Sequence, residues 1–150
     1  MSTSTFDVAS FANTEINDTN DDKFIPCPVG EYPATITKIE FKTTDKGRTI
    51  VDLTWKIQDL DGTIKAETGR EEVTIRQGVF LDITAQGTLD VSKGKNINLG
   101  KVRTATGNNI PGKAFRFADL QGAQAKVQVS HRAAENSDDI YDQIKSVTAL

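Results

Sequence analysis

Cationic and flat side chains recur along several strand-like stretches of this sequence, a combination suited to two chemical tasks at once. Cations can track a chain of phosphates, and exposed aromatic rings can stack on bases. On the polar phases stand Lys38 and Lys42 around a first strand, Lys56 on a second, Arg70 and Arg76 on a third, and Lys126 and Arg132 on a fourth. Lys46 and Arg48 flank Gly47 in a turn. No acid occurs between Asp90 and Asp119, a gap that holds Lys93, Lys95, Lys101, Arg103, Lys113 and Arg116. The flat side chains available are Phe41, Trp55, Phe80, Phe115, Phe117 and Tyr141. The candidate binding set takes Phe41, Phe80 and Phe115 from these. Its cations are Lys42, Lys46, Arg48, Lys56, Arg70, Arg76, Lys93, Lys95, Lys101, Arg103, Arg116, Lys126 and Arg132. The acid-free segment 91–118 is expected to form one wall of a groove.

Periodicity sorts the aromatics. Trp55 shares a phase with Val51, Leu53 and Ile57, which assigns it to the core. Tyr32 falls in with Ala34 and Ile36 and goes the same way. Phe115 and Phe117 flank Arg116, so both rings face one side; they seal a barrel floor, or one serves as a platform. Phe41 and Phe80 lie near strand ends, where binding loops begin.

Other chemistries find little support. A Ser-His-Asp or Cys-His site would have to use the single histidine, His131, which sits beside Arg132 in an alternating strand; a histidine on a barrel rim is its ordinary role. One cysteine, Cys27, forbids an internal disulfide and fits a reducing compartment. One Cys and one His cannot build a Cys/His zinc site, so no metal or other cofactor is expected. The glycines between 94 and 112 do not spell a Walker loop. Glu71 and Glu72 are adjacent on a strand and point to opposite faces, which rules them out as an acid/base pair.

The chain has 150 residues, enough for one domain with a real core. It contains no run of about 18 apolar residues, and no charged-then-apolar leader opens it. The net charge of −3 hides a segregation: residues 1–30 carry −4, residues 31–133 carry +4, and residues 134–150 carry −3. A basic centre between acidic ends points to a polyanion site, or else to a solvated face whose charges happen to cluster.

Elements follow from the apolar spacing. Residues 1–23 are rich in Ser, Thr, Asn and Asp and read as a flexible acidic arm, with a domain over 24–150. The arm is expected to lie in the basic groove when it is empty, or to recruit another protein through Phe6 and Phe11. Pro26-Cys27-Pro28 imposes an extended lead-in, and the folded part begins at Gly30. Tyr32, Ala34 and Ile36 alternate, then the apolar phase switches to Ile39 and Phe41, as a β-bulge requires. Residues 44–47 turn, and Val51 to Ile57 give a second strand. Asp61-Gly62 signals a hairpin, with a third strand expected over Thr63 to Ile75 and a short apolar stretch over Val79 to Ile83. Leu99, Val102 and Ala105 or Thr106 fit one face of a short helix stopped by Gly107-Asn108-Asn109. Strands over 123–132 and from Ile140 onward close the chain. The order β, β, β, helix, β, β predicts an all-β fold of the five-stranded OB type, a Greek-key barrel with its helix between strands 3 and 4.

Several stretches carry a family resemblance. They are Gly30-Glu31-Tyr32-Pro33-Ala34-Thr35-Ile36, Trp55-Lys56-Ile57 and Gly78-Val79-Phe80-Leu81-Asp82-Ile83-Thr84. Asn98 through Gly107, Leu120-Gln121-Gly122, Val127 through Arg132 and Asp142 through Val147 complete them. In this order, over about residues 24–150, they resemble small OB-fold single-stranded-DNA-binding proteins of tailed bacteriophages. The resemblance implies genome replication, recombination or repair in the cytoplasm of an infected bacterium. Its implied partners are single-stranded DNA, phage replication or recombination proteins and other copies of the chain, with no membrane. Many such proteins end in an acidic tail that recruits enzymes. Here the last residues are Ser146-Val147-Thr148-Ala149-Leu150, and the acidic arm is the expected substitute.

Three functions compete on this basis. The first is a non-catalytic module binding single-stranded DNA with little sequence preference. The second is a phage structural or assembly module whose basic segment meets a protein partner. The third, an enzyme, is least supported because the constellations above are missing.

Overall fold

A computed structural model describes residues 6–150, and every structural statement below concerns these residues. Five strands form one antiparallel sheet: β1 (Gly30–Thr43), β2 (Thr49–Ile57), β3 (Val73–Leu81), β4 (Gln124–Ala133) and β5 (Ile140–Thr148). Their order across the sheet is β3-β2-β1-β4-β5. One short helix precedes them, α1 (Val8–Ala12), and two lie between strands, α2 (Thr63–Thr68) and α3 (Ile97–Ala105), with a 3-10 turn over Phe117–Leu120. The fold is thus mostly β, as expected, and α3 falls between β3 and β4. No helix is long and apolar enough to cross a membrane.

Period-two patterning explains which face is buried. Val51, Leu53, Trp55 and Ile57 of β2 are all buried, as are Val73, Ile75, Val79 and Leu81 of β3 and Ala125, Val127 and Val129 of β4. The intervening residues face outward. Trp55 is fully buried, and its indole N–H donates to Gln77 Oε1 at 2.9 Å, which satisfies the one polar atom on the ring.

The long first strand bends at the expected place. Its pairing with β2 shifts register between Ile36 and Lys38, leaving Thr37 as the extra residue. Gln121 Nε2 donates to the Thr37 carbonyl at 2.6 Å, so the bulge's orphaned acceptor is satisfied. Before the bulge β1 pairs with β4 over residues 30–35; beyond it, β1 continues with β2 alone to Thr43. The sheet therefore curls. α3 packs against both edge strands, β3 and β5, and buries Leu99, Val102 and Ala105 beneath it. No ladder joins β3 to β5, and the sheet is open along that seam.

One stretch differs from its sequence pattern. Residues 63–68 form α2 where a strand was expected, and β3 begins only at Val73. Asp59 explains the helix: its two carboxylate oxygens accept from the backbone N–H of Ile64 at 3.2 Å and Lys65 at 2.9 Å. Gly62 and Gly69 sit at its two ends with φ of 79° and 72°. Gly62 thus starts a helix instead of turning a hairpin. β3 also absorbs most of the apolar stretch read separately over Val79 to Ile83.

Of the arm expected over residues 1–23, residues 1–5 lie outside the described residues. Residues 6–25 are exposed and include α1, whose N-cap Asp7 accepts from Ala9 N–H at 3.2 Å.

Candidate functional site

Opposite residues in an antiparallel pair point to the same face, so the registers map the outer surface row by row. Phe80, Ile50 and Lys42 make one row across β3, β2 and β1. Gly78, Asp52 and Glu40 form the next, then Arg76, Thr54 and Lys38, then Thr74, Lys56 and Thr35. Acids occupy part of this face. Asp52 holds Lys42 at 2.7 Å, and Glu40 holds Lys38 at 3.1 Å. That Lys38 contact, a hydrogen bond first and a charge attraction second, lowers the Glu40 pKa. Arg76 and Lys56 make no ion pair.

The β1–β2 turn brings two more cations to the Phe80 row. Thr44 N–H donates to Arg48 O at 2.8 Å, and Gly47, at φ 78°, completes the turn where a Cβ would be strained. This sets Arg48 over the Phe80 ring, its guanidinium carbon 4.2 Å from the ring centre. Phe80 is 47% exposed. Thr44, Asp45, Lys46, Arg48 and Phe80 line a shallow cleft of about 370 Å³. A second cleft, of about 290 Å³, runs from Gly47 and Arg48 past Leu81, Asp82 and Ile83 to Asp90 and Lys95.

Asn96 holds the far wall of that second cleft. Its side-chain oxygen accepts from Asp82 N–H at 2.8 Å, and its Nδ2 donates to the carbonyls of Asp82 at 2.9 Å and Asp90 at 2.8 Å. Its backbone N–H donates to Asp82 Oδ2 at 2.9 Å. Asn96 has φ 54°, a left-handed conformation that asparagine tolerates better than most residues. The clasp fixes where Lys95 emerges. Asp90 is tied internally as well: the Ser92 hydroxyl, then its N–H, lower the Asp90 pKa. Sequence patterning did not single out Asn96; the available signal was a lone asparagine before a helix with no Ser, Thr or Asp to cap it.

A second aromatic group lies on the other phase. Phe41 is 54% exposed on the inward side of β1, opposite Val51, where the core runs out. It meets Phe117 edge-on at 5.1 Å, and Phe117 meets Phe115 at 5.4 Å. Arg103 stands 4.2 Å over Phe115, with its Nε donating to Asn108 O at 3.0 Å. Phe115 and Phe117 are both half-buried and pack against the core, which favours the sealing role for both. Between the two groups lies a third cleft of about 240 Å³, lined in part by Asp90, Lys95, Ile97 and Arg103.

The remaining candidates are dispersed. The six cations of the acid-free segment do not form one wall. Lys93 and Lys95 belong to the loop before α3, whereas Lys101 lines the seam beside β5 with Lys145. Lys101 and Arg103 are two residues apart on a helix, hence about 200° apart around it. Arg116 is exposed at the 3-10 turn, its backbone N–H bound to Asp119 at 2.9 Å. Lys126 faces Glu31 at 3.6 Å on β4.

Arg70 departs furthest from the expected role. It precedes β3 at the end away from Phe80, about 25 Å off by the rise of a nine-residue strand. Its Nη2 donates to Ile25 O at 2.7 Å and lies 4.0 Å from Asp142, and its guanidinium covers Phe24 at 4.8 Å. Nearby, Cys27 N–H donates to Asp142 Oδ2 at 2.8 Å, and His131 Nε2–H donates to Cys27 O at 2.6 Å. Burial, then the Asp142 charge, push the Cys27 thiol up to about 11. Tyr141 stacks at a tilt on Phe24 at 5.3 Å and receives Arg132 at 5.3 Å on its ring. Arg70 and Arg132 thus serve a clamp on residues 24–28 at the other end of the sheet.

A family model described as "Protein of unknown function (DUF669)" matches residues 12–150. The chain belongs to this family. The match takes in the whole sheet, both aromatic groups and the clamp on residues 24–28, and most of the described arm. No curated protein matches the chain.

Proposed function

We propose that this DUF669 chain is a non-catalytic module that binds single-stranded DNA with little sequence preference. Its sphere is phage DNA replication, recombination or repair in the cytoplasm of an infected bacterium. The fold we assign is an OB barrel left open along the β3–β5 seam. Supporting this are the strand order β3-β2-β1-β4-β5, the bulged first strand, and the helix between β3 and β4 packed against both edges. Barrels of this type bind oligonucleotides on the face of strands 2 and 3 and on the 1–2 and 4–5 loops. Here the 4–5 loop carries Glu135, Asp138 and Asp139, which repel a phosphate chain. The strand is therefore held on the β1–β2 side.

The observation that carries the proposal is Phe80: a large ring, half in solvent, near the end of β3 beside Arg48 and Lys46. A structural ring of that size is ordinarily buried, and a stacking platform has to be exposed. Arg76 and Lys56 extend the cationic track down the same face. The test is fluorescence anisotropy with labelled oligothymidylate and a duplex of equal length at two salt concentrations. Preference for the single strand is expected, weakening steeply with salt as counterions are released. No binding at low salt, or equal affinity for the duplex, contradicts the proposal.

A further inference from the structure

The face of Phe80 that a base would use is already occupied. Arg48 stands over it at 4.2 Å. Three other arginines lie over aromatic rings, at Phe24, Phe115 and Tyr141, and two of the three are tied by hydrogen bonds. Arg70 donates to Ile25 O and Arg103 to Asn108 O. The Arg48 guanidinium has neither a hydrogen bond nor an ion pair within the described residues; only its backbone groups are engaged, with Thr44. Its side chain is exposed and sits on a five-residue turn beside the cleft that holds Lys46.

We propose that Arg48 is a displaceable cap on Phe80: an incoming base takes the ring face, and the guanidinium moves from the ring to the strand's phosphates. This rests on the single-stranded-DNA reading and assigns an order to its events. In the empty protein the cap shields an exposed apolar ring from solvent. In the complex, the same cation becomes a phosphate ligand, so uncapping costs one cation–π contact and gains one charge contact. An exposed cation–π contact is worth about 0.5–1 kcal/mol, a factor of roughly two to five in affinity. On an abasic strand the guanidinium keeps its place on the ring and reaches a phosphate with its free donors, so that factor falls only on ligands that have bases.

The test compares two probes of equal length, oligothymidylate and a fully abasic deoxyribose-phosphate strand, and reads the ratio of their affinities. Arg48→Ala weakens both by removing a phosphate contact, yet raises the ratio roughly two- to five-fold because the ring is now free. Arg48→Lys keeps the charge and gives up the planar fork, so it raises the ratio while preserving measurable affinity. With Phe80→Ala, Arg48→Ala leaves the ratio unchanged. A ratio that stays constant or falls in Arg48→Ala and Arg48→Lys overturns the cap, showing that Arg48 is independent of the stack or joins it. Wild-type protein that binds neither probe overturns the single-stranded-DNA reading itself, and the cap with it.

Discussion

Arg48 stands over Phe80 at one end of the sheet, and Arg70 stands over Phe24 at the other, 4.2 Å and 4.8 Å from the ring centres. The same pair of residue types has two different surroundings. Around Arg70 the groups close on one another: a carbonyl at 2.7 Å, the Asp142 carboxylate at 4.0 Å, and Phe24 stacked in turn on Tyr141. Around Arg48 nothing but the ring holds the guanidinium, and Lys46 stands beside it without a counter-charge in contact. A guanidinium tied to a carbonyl and set beside a carboxylate of its own fold is part of the structure. One with no polar partner, resting only on an exposed ring, is available to a ligand. This criterion separates the two ends where residue type alone does not.

Substitutions can break that contrast. The largest effect lies in the core both ends share: Trp55→Ala is expected to cost about 3–5 kcal/mol of stability by chemical denaturation, because a fully buried ring and its bond to Gln77 are lost. Arg70→Ala follows, at about 1.5–3 kcal/mol, the range for a hydrogen bond to a charged donor. Its oligonucleotide affinity stays unchanged, and a fall in affinity without a fall in stability would erase the difference between the ends. Alkaline pH then acts on the clamp, where burial also raises the Tyr32 hydroxyl, which donates to Pro28 O at 2.8 Å, from 10.0 to about 12. The Cys27 thiol is raised from 9.0 to about 11 by burial, so the unfolded chain ionises first. Stability is complete below about pH 9 and declines as pH rises from there towards 11. In melting curves Cys27→Ala should flatten that decline. The smallest effect is Lys46→Ala, with unchanged melting and a slope of log affinity against log salt reduced by about 0.7, the value for one phosphate contact to a single strand.

Much of this was legible in the sequence wherever period-two patterning met a buried face. β1, β2, β4 and β5, the bulge at Thr37, α3 and the burial of Trp55 all follow from apolar spacing. α2 did not, because its decisive signal is Asp59, a carboxylate that lies before the Asp61-Gly62 pair and reaches forward to Ile64 and Lys65. The candidate set was legible as a list of residue types, and only partly as a place. Phe80, Arg48 and Lys46 converge because strand register and one turn bring them together. Arg70 carries the same charge, and no local pattern reveals that Ile25 and Asp142 meet it from 45 and 72 residues away. Asn96 was likewise silent, since its value lies in contacts to Asp82 and Asp90 that only the folded loop creates.

The most direct measurement is the affinity of Phe80→Ala for single-stranded oligothymidylate, with its melting temperature as a control. Phe80 is 47% exposed, so the variant should melt close to the wild-type protein. Loss of one base–aromatic stack is worth about 1–3 kcal/mol, or roughly 5- to 150-fold weaker binding. Its salt slope should match the wild type, because no phosphate contact is removed. A folded Phe80→Ala protein that binds the strand as tightly as the wild type would contradict the account and leave Phe80 an incidental exposed ring.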